Sequence, residues 1–390
     1  MNPESLLTRC FKASRLKLDN NKSYIGNIEA WLKTGFQCQQ VSLSKRVQTL
    51  WSGYGEIVKF NLTINKSESG SFYSVIVKWV LPPQQVIHPK GWQSQLAHER
   101  KLTSYQVEMN AYQLFNQAKK SPGWPEGLRL PHCYQAHFDT TDFQLALILE
   151  DLDASGFSLR FSQLSPRQTL PCIAWLAKFH AYFLHDTSLP HRAGQHLLFL
   201  QGREKVKALG ESFGLWPIGS YWHLETRVNE WENMPESPLK TSAASLDKVL
   251  NNLQYQTIIH GDAKVANFCF SLEDDKGERQ VAALDFQYTG YGCGMKDLVY
   301  FLGSCLSESQ CQAHWQSLLS EYFLYLRAQL TRLNSELDLN ALEQEWRFAF
   351  ELAWADFQRF IEGWSPNHKK NTAFSRAITQ RALAKLNLKP

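Results

Sequence analysis

Apolar and polar positions change rhythm near the middle of the chain. Two early segments rich in apolar and β-branched residues, Ile57 to Ile64 and Phe72 to Val80, predict paired strands. The polar, glycine-ended stretch Asn65 to Gly70 between them predicts a hairpin loop. Pro82, Pro83, Pro89 and Gly91 then mark an irregular excursion. From His98 to Lys119 the pattern turns helical, with Leu102, Tyr105, Met109, Tyr112 and Phe115 at three- and four-residue steps, and Pro122-Gly123-Trp124-Pro125 ends it. Cys133 to Phe138 and Phe143 to Leu149 predict two more strands.

The carboxylates of Glu150, Asp151 and Asp153 interrupt the apolar run, and almost everything beyond them reads as helix: 170–184, 297–306, 311–333 and 342–364. Two short apolar strands are embedded in this half, Ile258-Ile259 and Val281 to Phe286. Strands first and helices after predict an α+β fold in two lobes, with residues 1–149 as the first, 150–153 as a hinge and 154–390 as the helical second.

A chain of 390 residues with 44% hydrophobic and 20% charged positions can bury two substantial cores. Its 13 Trp, 14 Tyr and 23 Phe suit ring-lined clefts. The balance of 41 Lys and Arg against 37 Asp and Glu gives no basic footprint for nucleic acid or an anionic membrane. No run of eighteen apolar residues and no basic, then apolar, leader is present, so a cytoplasmic protein is expected. The eight Cys show no Cys-x-x-Cys pair and no zinc spacing, and read as buried free thiols. His180 and His185 read as structural.

The chemistry gathers at Ile258 to Phe268. Asp262 is followed five residues later by Asn267, behind a short apolar run, which is the catalytic-loop spacing of kinase-type phosphotransferases. Asp285 ends the second embedded strand. Phosphoryl transfer needs hard oxygen ligands for Mg2+, cations for the phosphates and a carboxylate for the attacking hydroxyl. Asn267 and Asp285 supply the metal oxygens, Asp262 the carboxylate and Lys264 a cation beside the phosphoryl group. His260 is expected to brace the loop, and Gly261 to let its backbone turn closely. Lys78, alone among apolar neighbours, calls for a partner on the next helix; Glu108 is the first choice and Glu99 the second. Gly53 and Gly55, just before the first strand, are candidates to cover phosphates.

These residues resemble the aminoglycoside phosphotransferase/choline kinase superfamily, and within it the ecdysteroid-kinase-like branch. The resemblance runs through Val77-Lys78, Glu108 with Tyr112, Leu149 to Leu152 with Gly156-Phe157, Leu176 to Ala181, His260 to Asn267, Leu284 to Gln287, and Asp297 to Leu302. It implies a protein-kinase-like two-lobed fold, with a small, mainly antiparallel β lobe and a large helical lobe. It further implies ATP and Mg2+ as cofactors, Glu150, Asp151 and Leu152 as an adenine-holding hinge, and Lys78 with Glu108 as the phosphate anchor. Asp297 would cap the following helix and brace the catalytic loop. Gln287 stands where a protein kinase has the Gly of Asp-Phe-Gly, whereas Lys264 matches the protein-kinase loop.

Only Phe286 to Lys296 separates Asp285 from Asp297, and no Ala-Pro-Glu follows, so a small hydroxylated molecule is favoured over a protein substrate. A catalytically idle nucleotide-binding scaffold is the competing reading, opposed by the joint presence of Lys78, Asp262, Asn267 and Asp285. An oxidoreductase would need a Gly-x-Gly-x-x-Gly turn, which is absent. Trp346, Phe350, Trp354 and Phe357 share one helix face. That stripe reads as a core face, or else as a ring-lined substrate wall with Asp356 as counter-charge.

Overall fold

The computed structural model describes residues 7, 16, 23–64, 71–83, 95–184 and 202–387. By Cα proximity the chain forms two compact units, Met1–Tyr112 with Leu130–Leu159, and Gln113–Arg129 with Arg160–Pro390. The fold class is α+β: an antiparallel sheet in the smaller unit and helices around short strand pairs in the larger.

The first unit opens with α1 (Tyr24–Phe36), N-capped by Ser23, whose side chain accepts from the Gly26 N–H at 3.2 Å. Strands β1 (Gln40–Thr49), β2 (Gly55–Ile64), β3 (Ser71–Val80), β4 (Cys133–Asp139) and β5 (Gln144–Glu150) form one antiparallel sheet in the order β1-β2-β3-β5-β4. Helix α2 (Gln95–Ala118) lies between β3 and β4 in sequence. Alternation divides the sheet into two faces. Val58, Phe60, Leu62, Val75, Val77 and Trp79 enter the core shared with Ile28, Trp31, Leu32 and Phe36 of α1. Each fully buried side chain of this size contributes about 1.5–3 kcal/mol. Lys59 and Lys78 fall on the opposite face, where Lys59 is opposite Ile76, and Lys78 lies between Ile57 and Leu147.

Neither α1 nor β1 was expected from the pattern. β1 is an edge strand exposed at most positions, with register shifts at Leu43/Lys45 and Arg46/Gln48, and its Ser, Gln, Lys and Arg residues hide the alternation. The remaining predicted strands and long helices are present within a few residues of their expected ends. The hairpin loop Asn65 to Gly70, residues Pro89 and Gly91, His185 and Cys10 lie outside the described residues.

The second unit is built around α3 (Pro166–Leu184), which is buried over most of its length. Trp175, Phe179 and Phe183 of α3 pack with Phe115 and Phe286. Helices α4 (Gly202–Ser212), α5 (Val228–Glu232), α6 (Pro238–Thr241) and α7 (Ala243–Asn251) follow. Next come β6 (Thr257–Ile259), β7 (Phe268–Phe270), β8 (Val281–Ala283) and β9 (Gly290–Gly292), then α8 (Gly294–Cys305), α9 (Glu308–Arg332), α10 (Leu339–Trp364) and α11 (Ala373–Asn387). β6 pairs with β9 and β7 with β8, both antiparallel. The loops 260–267 and 284–289 therefore both run between the same two strand pairs, which brings them together. No described helix is long and apolar enough to cross a membrane.

The seven described cysteines, Cys38, Cys133, Cys172, Cys269, Cys293, Cys305 and Cys311, are free and buried, as expected. Burial pushes the thiols of Cys293 and Cys311 up to about 12, and that of Cys172 well above its ordinary value.

Candidate active site

The loop after β6 is held from three sides. Asp297, in the first turn of α8 and fully buried, accepts the backbone N–H groups of His260 at 2.7 Å and Gly261 at 2.8 Å. His180 of α3 joins the same carboxylate at 3.0 Å and Tyr322 of α9 at 2.7 Å. Asp297 thus braces the loop as expected, but it does not cap its helix. The N-cap position is Cys293, and the Asp297 side chain is spent on the loop backbone. His260 links the two loops: its Nε2 is 3.1 Å from the Leu284 carbonyl, and its Nδ1 accepts the Asp262 N–H at 3.3 Å. Gly261 has φ +77°, and a Cβ there would lie 2.0 Å from the Tyr288 carbonyl oxygen, so only glycine fits.

This scaffold sets the carboxylate of Asp262, which is 4% exposed. Its Oδ2 accepts from Lys264 Nζ at 2.8 Å and from Asn267 Nδ2 at 3.1 Å. Asn267 Nδ2 also donates to the Asp262 carbonyl at 2.8 Å. Oδ1 of Asp262 is buried with no hydrogen bond of ordinary geometry among the described residues, and the Tyr300 phenol lies near the same carboxylate. Burial works against the Lys264 charge, but the Asp262 and Asp285 carboxylates outweigh it and hold the ammonium well above the ordinary lysine range.

Asp285 reaches the same place through strand pairing. Phe268 is opposite Ala283, and the Leu284 N–H donates to the Asn267 carbonyl at 3.0 Å. Asp285 itself takes φ +68°, uncommon for a non-glycine residue. Its Oδ1 accepts from Gln287 Nε2 at 2.7 Å. The Asn267 Oδ1 and the Asp285 carboxylate are hard oxygens, a donor set suited to Mg2+ that also takes phosphate oxygens. Among the described residues no group of three or more His, Cys, Asp or Glu could hold a metal by itself.

In the first unit Lys78 and Glu108 form a buried ion pair at 2.5 Å, and Lys78 Nζ lies 5.5 Å from the Tyr105 ring centroid. Glu99 instead accepts from Gln95 at 2.8 Å. Gly53 (φ +73°) and Gly55 (φ +140°) shape the turn from β1 to β2, and a Cβ on Gly55 would meet the Trp79 carbonyl at 2.0 Å. At the end of β5, Glu150 accepts the His132 N–H at 3.0 Å. Asp151 is enclosed by Lys59 at 2.6 Å, Ser74 at 2.6 Å and the Asp153 N–H at 3.1 Å. Burial opposes the Asp151 charge, yet Lys59 and Ser74 prevail and lower its pKa. The Asp151 side chain is thus occupied, while Leu152 makes no backbone N–H hydrogen bond among the described residues.

The aromatic stripe of α10 is mainly core. Trp346 donates to the Tyr255 carbonyl at 3.0 Å, Phe350 stacks on Trp315, and Trp354 packs on Phe374. Asp356 cannot serve as a substrate counter-charge. It is 1% exposed and already holds Arg359 at 2.8 Å and Trp222 Nε1 at 2.9 Å. Phe357 of the stripe borders the site, through Tyr300 at 4.8 Å between centroids. Tyr300, Tyr221, Arg227 and Lys370 surround this edge, and none stood out in the sequence, because they come from separate segments with no shared spacing.

Residues 221–335 match the ecdysteroid kinase-like family. That stretch contains Asp262, Lys264, Asn267, Asp285 and Asp297, so the resemblance read from the sequence is met across the whole catalytic loop and the segment is kinase-like. No curated protein matches the chain. Among solved structures, a microcompartment-associated aminopropanol kinase aligns at 14% identity over 93% of this chain and 99% of its own, with a TM-score of 0.48. A putative aminoglycoside phosphotransferase from Ralstonia eutropha aligns at 14% identity over 92% and 94%, TM-score 0.43. An ethanolamine kinase from Plasmodium vivax aligns at 10% identity over 96% of both chains, TM-score 0.40.

Proposed function

We propose that the chain transfers the γ-phosphoryl group of ATP, with Mg2+, to a hydroxyl of a small molecule. The observation that carries this reading is the Asp262 carboxylate. One of its oxygens is fixed by Lys264 and Asn267 and the other is buried with no hydrogen bond of ordinary geometry among the described residues. In the proposed reaction the acceptor hydroxyl donates to Oδ1 of Asp262. The acceptor oxygen forms a bond to the γ-phosphorus while the bond to the β–γ bridging oxygen breaks. ADP leaves with that electron pair, and the hydroxyl proton passes to Asp262.

Lys264, attracted by both Asp262 and Asp285, offsets charge on the transferring oxygens. Asn267 and Asp285 would hold Mg2+, which when bound neutralises phosphate charge. In the first unit the proposal assigns Lys78, steadied by Glu108, to the nucleotide phosphates and the Gly53–Gly55 turn to their cover. The backbone of Glu150, Asp151 and Leu152 is assigned to adenine. The segment between Asp285 and Asp297 is taken up by β9 and the first turn of α8, which favours a small acceptor over a peptide.

The test is a panel of hydroxylated sterols, amino alcohols, sugars and aminoglycosides incubated with MgATP, read by the mass gain of one phosphate. Asp262→Asn should lower kcat by about a hundred- to ten-thousand-fold while ATP affinity is kept. Full turnover by that variant rejects the assignment. Asp285→Ala should abolish the Mg2+ dependence of nucleotide binding, and an unchanged dependence rejects its role as ligand.

A further inference from the structure

Beside Asp262 lies a cluster of rings from separate parts of the second unit. Trp222, Tyr300, Phe357 and Phe360 pack as one buried group. Tyr221, which packs against that group, donates its N–H to the Gly261 carbonyl at 2.8 Å. Burial, followed by the neighbouring Asp262 carboxylate, keeps the Tyr300 phenol protonated far above its ordinary range.

The carboxylates of this cluster are already neutralised. Asp356 pairs with Arg359, and Glu230 pairs with Arg227 at 2.9 Å. Arg227 is further enclosed by the rings of Tyr221 and Phe360, 4.2 and 5.3 Å from their centroids.

Lys370, between α10 and α11, differs from every other cation here. Its ammonium lies 4.8 Å from the Tyr300 ring centroid and 5.1 Å from that of Phe357. Among the described residues it makes no hydrogen bond and no ion pair through that ammonium. Its main chain is nevertheless fixed: the N–H donates to His368 Nδ1 at 3.2 Å, and the carbonyl accepts from Ser375 Oγ at 3.0 Å. Ser375 Oγ in turn accepts from Trp354 Nε1 at 3.3 Å. The Asp262 carboxylate attracts this ammonium without pairing with it, and burial outweighs that attraction. A half-buried ammonium without a direct partner is unfavourable, and an anion arriving with a ligand would remove that penalty.

We infer that the acceptor is a hydroxylated molecule with an apolar body and an anionic group, a carboxylate, phosphate or sulfate. Lys370 binds that group and the faces of Tyr300 and Phe357 line the body, an assignment that rests on the phosphotransferase reading of Asp262. A cationic acceptor meets the opposite situation, because Lys370 repels it and the nearby Asp356 and Glu230 are taken.

The test uses three matched alcohols that differ only at the para position: 4-(hydroxymethyl)benzoate, 4-methylbenzyl alcohol and 4-(aminomethyl)benzyl alcohol. Binding to the full chain is read by tryptophan fluorescence, and phosphate transfer from MgATP is read separately by mass. The carboxylate should bind about tenfold or more tighter than the other two. Lys370→Gln should remove that preference and Lys370→Arg should keep it. Should Lys370→Gln not fold, the wild-type preference must still shrink as ionic strength rises. Equal binding of the three, no binding of any, or a preference that survives Lys370→Gln or high salt overturns the proposal. A carboxylate preference without phosphate transfer keeps the site and rejects the phosphotransferase reading. Transfer that favours the amine or the neutral alcohol does the reverse.

Discussion

Asn267 gives hydrogen bonds from its amide nitrogen to Asp262 twice, to the backbone carbonyl at 2.8 Å and to the carboxylate Oδ2 at 3.1 Å. One side chain thus closes the loop and aims its carboxylate. Asn267→Asp keeps an oxygen for a metal but replaces the donor with a second negative charge beside Asp262. We expect kcat to fall by about a hundredfold or more, measured in steady state at saturating MgATP. A variant retaining half of the wild-type kcat would show that the aiming is dispensable.

The Asp297 carboxylate serves two buried N–H groups and His180 at once. Asp297→Ala leaves all three without their acceptor in the core, and an orphaned buried donor costs far more than a lost surface hydrogen bond. The expected loss is about 3–5 kcal/mol, read from the urea midpoint with an unchanged m-value. A loss below about 1 kcal/mol would mean that these groups find other partners.

Two glycines with positive φ separate backbone strain from steric exclusion. Gly156 has φ +93° and open space around a Cβ, whereas Gly261 has φ +77° and the Tyr288 carbonyl 2.0 Å away. Gly156→Ala should cost only the left-handed backbone penalty, about 1–2 kcal/mol. Gly261→Ala should cost more and also lower kcat, because the loop carrying Asp262 must shift. Equal losses in thermal unfolding for the two variants would contradict the close approach.

Burial lowers the Lys370 pKa to about 8, with Asp262 and Cys305 pulling the other way and Lys264 and Lys369 adding to the depression. The ammonium is therefore charged below pH 8 and lost above it. Affinity for 4-(hydroxymethyl)benzoate, whose carboxylate stays ionised throughout, should fall as pH rises from 7 to 9. Lys370→Arg should flatten the profile, since a guanidinium does not titrate there. Wild-type affinity that is level across this window excludes Lys370 as the anion's partner.

The catalytic loop was legible because Asp262, Lys264 and Asn267 stand at fixed spacing directly behind an apolar strand, where polar residues need a reason. Lys78 was legible on the same ground, and Glu108 was the first choice for its partner on the next helix. β1 was not, since an edge strand with polar residues on both faces carries no alternation to read. Of the two readings of the α10 stripe, the one that made Asp356 a counter-charge overlooked Arg359, three residues on at helical pairing distance. Lys370 could not have been found. It sits in the polar stretch Ser365 to Asn371, and only the packing of α8 against α10 puts aromatic faces under it.

Seven sequestered thiols make this chain a reporter of its own opening. The native state presents none of the described cysteines to solvent, and burial holds several of them in the unreactive protonated form. With Cys10 replaced by serine, alkylation by iodoacetamide should be governed by exposure events. Peptide mass mapping would then resolve Cys38 and Cys133 in one unit from the other five in the second. The order in which the thiols become labelled would rank the two units by their opening free energy, with no probe added to the protein.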